Sequence, residues 1–186
     1  FQRECISRGF VDASPEDIIL LSDIDEIPSC EAILACKQIL EKEDSHIVTL
    51  EQALFYYTLN GLCVNSNKSA VVWHGTTCCK YKNYPGGQAI RNLKGKNKIK
   101  IPNGGWHFSY LGGPEAIAKK IESYSHAEFD NDIIKDRNRI QDCIDKGVDL
   151  FNRPGKPQQY YVKINEFFPK YLQSNIEKYS HLIKGN

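Results

Sequence analysis

The alternation of apolar and polar positions changes period several times along the chain, and each change marks an element. Ile18-Ile19-Leu20-Leu21 is a short aliphatic run without polar interruption. It predicts a strand buried on both faces, inside a parallel sheet. Ser29 suits a helix N-cap, with Glu31 in the first turn, and Ile33, Cys36 and Leu40 recur at helical spacing as its buried face. Residues 46–50 and 53–59, rich in β-branched and aromatic side chains, predict two strands, and residues 70–74 a third that stops at Gly75. Residues 80–104 read as irregular. Paired glycines bracket an aromatic strand in Gly104-Gly105-Trp106-His107-Phe108-Ser109-Tyr110-Leu111-Gly112-Gly113, where missing side chains let the backbone approach a ligand. Pro114 opens a helix with Ile117, Ile121 and Tyr124 on one stripe. A further helix covers 131–146, with Ile133, Arg137, Ile140 and Ile144 in register and Gly147 as its stop. Pro169 opens a last one, with Leu172, Ile176, Tyr179 and Ile183 inward, and residues 1–12 suit a helix end.

This order of elements predicts an α/β fold, a mixed sheet flanked by helices. At 186 residues, 41% hydrophobic and 25% charged, the chain can form one domain with a real core. A net charge of +1 gives no field to recruit nucleic acid, and no apolar run approaches the roughly 18 residues of a membrane span. The seven cysteines are odd in number and contain no C-x-x-C pair, so neither a zinc ribbon nor a thioredoxin-like site is indicated. They read most simply as reduced thiols, with Cys30 and Cys36 as small buried hydrophobes. Asn67-Lys68-Ser69 fits a glycosylation sequon.

The chemistry concentrates where the first strand ends, in Ser22-Asp23-Ile24-Asp25-Glu26-Ile27-Pro28. Open α/β sheets bind ligands at the carboxyl ends of their strands. In extended backbone Asp23 and Asp25 would leave on one side, and two hard oxygen ligands suit Mg²⁺ or Mn²⁺. Acids in that position also serve as turn or cap residues. Arg91, Lys94, Lys96, Lys98 and Lys100 could clamp a diphosphate or line a solvated hairpin. His107, alone on its strand, is a ligand candidate or a hydrogen-bonded structural residue.

Four pieces occur in this order: Leu21-Ser22-Asp23-Ile24-Asp25-Glu26-Ile27-Pro28, Gly105-Trp106-His107-Phe108-Ser109-Tyr110, Lys120-Ile121-Glu122-Ser123-Tyr124-Ser125-His126-Ala127-Glu128 and Phe168-Pro169-Lys170-Tyr171-Leu172. Together they resemble glycosyltransferase family 17, which contains the transferase that adds the bisecting N-acetylglucosamine to N-glycans. D-x-D alone recurs across many transferases, whereas D-x-D-E-I-P combined with G-G-W-H is far more specific. The resemblance implies a single GT-A-like domain over 1–186, with C-terminal helices from about 114. It implies a UDP-sugar donor, UDP-N-acetylglucosamine by family analogy, a glycan or glycoprotein acceptor, and Mn²⁺ or Mg²⁺ as cofactor. Such domains carry strand–helix units for the nucleotide base ahead of the D-x-D strand. Only about 17 residues stand there, and the chain has no methionine, so a truncated nucleotide-binding portion is expected.

On this reading Asp25 and Asp23 hold the metal, with His107 as third ligand and His126 as its competitor. Glu128 is the candidate base, ahead of Glu26 and Asp130. Trp106, Tyr110, His126 and Arg91 bind substrate, and Tyr56 and Trp73 are further candidates for a sugar platform. Two other classes compete. Haloacid-dehalogenase-type phosphatases also place D-x-D after a buried strand, but Ile27 stands where they carry Thr or Val and no later G-D-x-x-x-D pair is present. A non-catalytic carbohydrate-binding remnant would bind glycans without a metal or a donor.

Overall fold

The computed structural model describes residues 4–93, 98–123, 129–153 and 158–185. Its strands are β1 Ile18–Leu21, β2 Glu26–Pro28, β3 Ile47–Tyr56, β4 Gly61–Val64, β5 Val72–Lys80, β6 Lys98–Ser109 and β7 Gln158–Tyr161. Its α-helices are α1 Cys30–Lys42, α2 Gly87–Asn92, α3 Gly113–Ser123, α4 Asp132–Lys135, α5 Arg137–Lys146 and α6 Lys170–Gln173. The architecture is α/β, a mixed sheet flanked by helices. Two compact units are present: Phe1–Gln52 with Trp73–Trp106, and Ala53–Val72 with His107–Asn186.

In the first unit β1 pairs antiparallel with β5, from Ile18 opposite Lys80 to Leu21 opposite Thr77, and it ends the strand order β1-β5-β3. Ile19 and Leu21 face the core while Leu20 is 40% exposed. The expected interior parallel strand is therefore an end strand with one buried face; an unbroken aliphatic run is compatible with both. α1 begins as expected, with Ser29 Oγ accepting from the Ala32 N–H at 3.2 Å. Its buried residues are Ala32, Cys36 and Leu40, whereas Ile33 and Cys30 are exposed. This face meets Val48, Leu50 and Cys78.

β3 is one strand of ten residues, not two. Both polar residues at the expected break find partners: Gln52 turns inward, and Glu51 accepts from His74 at 3.1 Å and lies near Lys100. β5 likewise runs through Gly75. The stretch expected to be irregular holds a 3₁₀ turn at Tyr81–Asn83, α2 and the start of β6; Lys94 and Lys96 lie outside the described residues. The glycines of β6 admit protein backbone. A Cβ on Gly105, at φ +132°, would strike the Ile27 carbonyl, and one on Gly104 would press on Leu50. Ser29 N–H donates to the Gly104 carbonyl at 3.0 Å. The remaining apolar cluster of this unit joins Ile19, Leu21, Ile47, Cys79 and Ile90, with Phe10 packed edge-on against Tyr81 and Tyr84.

In the second unit the end of β3 pairs with β4, Phe55 opposite Leu62, and β4 pairs antiparallel with β7. Ile117 and Ile121 of α3 and Ile140, Cys143 and Ile144 of α5 enclose Tyr57, Tyr110 and Leu150. The helix expected over 131–146 is broken at Asp136, whose backbone is extended and whose carboxylate caps α5 through the Arg139 N–H at 2.7 Å. Gly147 ends α5 in the left-handed region, as its position predicts. The expected last helix is only α6, a turn and a 3₁₀ segment at Glu177–Leu182 with no buried residue. This end is held from outside: Leu59 N–H donates to Leu182 O at 2.8 Å, and the Asn60 side chain bonds both backbone groups of Lys184. Tyr124 lies outside the described residues.

All seven cysteines are free. Cys36, Cys63, Cys78, Cys79 and Cys143 are buried, and burial pushes the Cys63 thiol up to about 12 and that of Cys79 to about 11.

Candidate active site

The acidic segment leaves β1 at Ser22 and folds back at once. Glu26 N–H donates to the Asp23 carbonyl at 3.0 Å, which closes a turn. The same-side rule for alternate residues holds only in extended backbone, so it does not govern Asp23 and Asp25. Asp23 is exposed and Asp25 half-buried.

The turn carries Glu26 inward, where its side chain has no exposed surface. A carboxylate in that position is tolerated only with partners, and it has them. Asp23 N–H donates to Oε2 at 3.0 Å and Trp73 Nε1–H to Oε1 at 2.8 Å. Thr76 Oγ1 approaches Oε2 at 3.5 Å, and the Arg91 guanidinium lies 3.5 Å from Oε1. The same guanidinium nitrogen sits 2.8 Å from Asp23 Oδ2. α2 thus delivers Arg91 to two of the three acids of the turn, Asp23 and Glu26.

Behind Glu26 the polar cluster continues. Ser22 and Thr76 hydroxyls share a hydrogen bond at 2.7 Å, and Ser22 also donates to the Glu26 carbonyl. Gln52 accepts from the Thr76 N–H at 3.2 Å and reaches the Trp106 carbonyl at 3.5 Å. Gly75 makes room, because any Cβ there would overlap Gln52 and press on Glu26.

The structure therefore unites Asp23, Glu26 and Arg91, with Trp106 joining through its backbone. Sequence reasoning missed Gln52, Thr76 and Ser22. Gln52 left a signal, since it shares the inward register of Val48, Leu50 and Leu54 and a polar group on that row must be satisfied.

His107 and Tyr110 belong to the second unit. His107 is buried, and its neighbour Phe108 packs on Phe55 at 5.1 Å between centroids. Tyr110, at φ 58°, is a core residue. Its ring meets Tyr56 edge-on at 5.3 Å, and Lys120 lies 4.8 Å from its centroid. Nearby, burial would raise the Asp149 carboxyl, but Arg153 and two backbone N–H groups outweigh that and hold it below its usual value. His126 and Glu128 lie outside the described residues. Asp130 is paired with Lys135 at 2.8 Å.

A model of glycosyltransferase family 17 matches residues 5–186. The chain belongs to glycosyltransferase family 17. No curated protein and no solved structure matches it. As a family 17 glycosyltransferase it moves a sugar from a donor to an acceptor, so donor and acceptor are its partners. Among the described residues no helix is long and apolar enough to cross a membrane.

For the metal, the same residues give a mixed answer. Among the described residues no group of three or more His, Cys, Asp or Glu side chains is arranged to hold an ion. Mg²⁺ and Mn²⁺ need less from a protein, one or two carboxylates with water and substrate phosphates completing the shell. Of the two aspartates in the turn, Asp23 is exposed but pairs with the Arg91 guanidinium at 2.8 Å, and Asp25 is half-buried.

Proposed function

We propose that this family 17 enzyme transfers N-acetylglucosamine from UDP-N-acetylglucosamine to a hydroxyl of a glycan or glycoprotein, with inversion at the anomeric carbon. The observation that carries this reading is the meeting of Asp23, Glu26 and Arg91 in the D-x-D-E turn, within a chain that has the family's motifs in order. In the reaction the acceptor oxygen bonds to the anomeric carbon as the bond to the diphosphate oxygen breaks, and the acceptor proton passes to a base.

The residues divide the work. Asp25 and Asp23 would anchor Mn²⁺ or Mg²⁺, which when bound stabilises the charge developing on the leaving diphosphate. Arg91 offers a planar donor fork suited to diphosphate oxygens, and Glu26 fixes where that fork sits. Glu128 is the proposed base, which requires hydrogen-bond reach to the acceptor hydroxyl. Trp106 and His126 are the candidates for contact with the sugars.

The test is transfer from UDP-N-acetylglucosamine to a panel of N-glycans with and without Mn²⁺. Asp25→Ala is expected to abolish manganese-dependent transfer, and retained activity removes the metal assignment.

A further inference from the structure

The C-terminal segment of the second unit carries a group of side chains that neither the core nor the assigned roles use. Phe168 and Leu172 anchor the segment; both are buried, and Phe168 packs on Phe55 at 5.3 Å between centroids. Tyr171 stands between these anchors in the chain and is 60% exposed. Tyr179 meets its ring edge-on at 6.2 Å. The Lys178 ammonium is 3.3 Å from Tyr171 Oη but 5.9 Å from the ring centroid. A cation above the ring would be nearer the centroid than the hydroxyl; this one lies off the hydroxyl end and leaves the ring faces clear. Beside the pair, residues 173–178 line a surface cavity of about 540 Å³, within the roughly 300–1,000 Å³ of small-molecule sites. Two amides in that lining are pinned by their nitrogen ends. Gln173 Nε2–H donates to the Phe168 carbonyl at 2.6 Å, and Asn175 Nδ2–H to the Tyr171 carbonyl at 2.7 Å. The other end of each amide is an acceptor oxygen. Among the described residues neither Gln173 Oε1 nor Asn175 Oδ1 accepts a hydrogen bond, and the Glu177 carboxylate has no partner. Acceptors already held in place lose little freedom when a ligand arrives.

We infer that Tyr171, with the cavity of Gln173, Asn175, Glu177 and Lys178, forms a subsite for one pyranose of the acceptor glycan, the sugar's C–H face lying on the Tyr171 ring. The inference rests on the transferase reading for its ligand class. Sugar hydroxyls both donate and accept. The two amide oxygens and Glu177 accept from them, and Lys178 donates to them. The apolar C–H face matches an exposed aromatic ring. Glu177 and Lys178 carry opposite charges, so the site has no net charge with which to hold a phosphate, and a neutral ring suits it better.

The experiment titrates the whole chain, labelled with ¹⁵N, with mannose, N-acetylglucosamine and inorganic phosphate in turn. The backbone amide resonances of residues 171–178 are expected to move with at least one of the sugars and not with phosphate. A Kd of about 1–10 mM suits a single open subsite. Tyr171→Ala should weaken that binding, and raise the KM for an N-glycan acceptor, about tenfold, the size of one lost aromatic contact. The KM for UDP-N-acetylglucosamine and kcat should change much less. Tyr171→Phe keeps the ring and should recover most of the loss. Circular dichroism checks that both variants fold; should Tyr171→Ala not, the sugar titrations of the parent and of Tyr171→Phe still decide. Resonances of 171–178 unmoved by either sugar at about 50 mM overturn the proposal, and so does movement with phosphate alone. A folded Tyr171→Ala with the parent's acceptor KM also overturns it and leaves the transferase reading untouched. If a sugar moves these resonances but nothing is transferred from UDP-N-acetylglucosamine, the transferase reading fails and the sugar site stands.

Discussion

Gly75→Ala is the smallest change that should disturb the polar cluster behind the acidic turn. Its backbone is not in the left-handed region, so the added methyl meets neighbours rather than torsional strain. The Cβ would overlap Gln52 Oε1 and lie 2.8 Å from Glu26 Cδ and Oε1, about 0.6 Å inside the 3.4 Å lower limit of ordinary contact. Neither neighbour can yield cheaply. Gln52 is fully buried and bonded to the Thr76 N–H, and Glu26 is held by Asp23, Trp73 and Arg91. Displacing Gln52 leaves buried polar groups unpaired, about 1–3 kcal/mol, and overpacking adds about 1–3 kcal/mol. Removing a glycine from a strand returns roughly 0.5–1 kcal/mol. The net expectation is a loss of about 2–4 kcal/mol, or roughly 5–15 °C in Tm for a chain of this length. Thermal melts followed by circular dichroism measure it, with Gly9→Ala as control. Nothing lies within 4 Å of a Cβ at Gly9, so that variant should stay within about 0.5 kcal/mol of the parent. If Gly75→Ala melts within about 1 °C of the parent, Gln52 and Glu26 are not closed around that glycine and the account of the cluster fails.

Two further outcomes concern the second unit. Tyr57→Phe removes the hydrogen bond from Tyr57 Oη to Val148 O at 2.7 Å and should cost about 1–2 kcal/mol in urea denaturation; no loss would show that the hydroxyl is replaceable by water. The Asp149 carboxyl is depressed in the folded protein, so its stabilisation is present above its unfolded value, about 3.9, and is lost as pH falls below that through the depressed value. Asp149→Asn should therefore unfold more easily than the parent at pH 7 and lose less stability between pH 4 and pH 2, and parallel profiles would refute the assignment.

How much of this could be read from residues alone varies with the range of the forces involved. Local rules located the Ser29 cap, the Gly147 stop and the stripe of Ile117 and Ile121, because each is decided within a turn or two of chain. Pairing direction was not legible for β1, since four aliphatic residues carry no mark of their neighbour. The C-terminal segment satisfied helical spacing at Leu172, Ile176, Tyr179 and Ile183, yet hydrogen bonds from Leu59 and Asn60 decide its course. In the site, the acids of the turn were evident. The partners of Glu26 were not, because Trp73 and Thr76 lie 47 and 50 residues further on and only folding brings them near.

The buried thiols make the chain its own reporter of breathing. Cys36, Cys78 and Cys79 lie in the first unit, and Cys63 and Cys143 in the second. While each is enclosed, burial holds Cys63 and Cys79 protonated at neutral pH, and an alkylating reagent attacks thiolates. Modification of these sites must therefore wait for local opening. Peptide-resolved alkylation rates would time the opening of each unit separately, without a single engineered label.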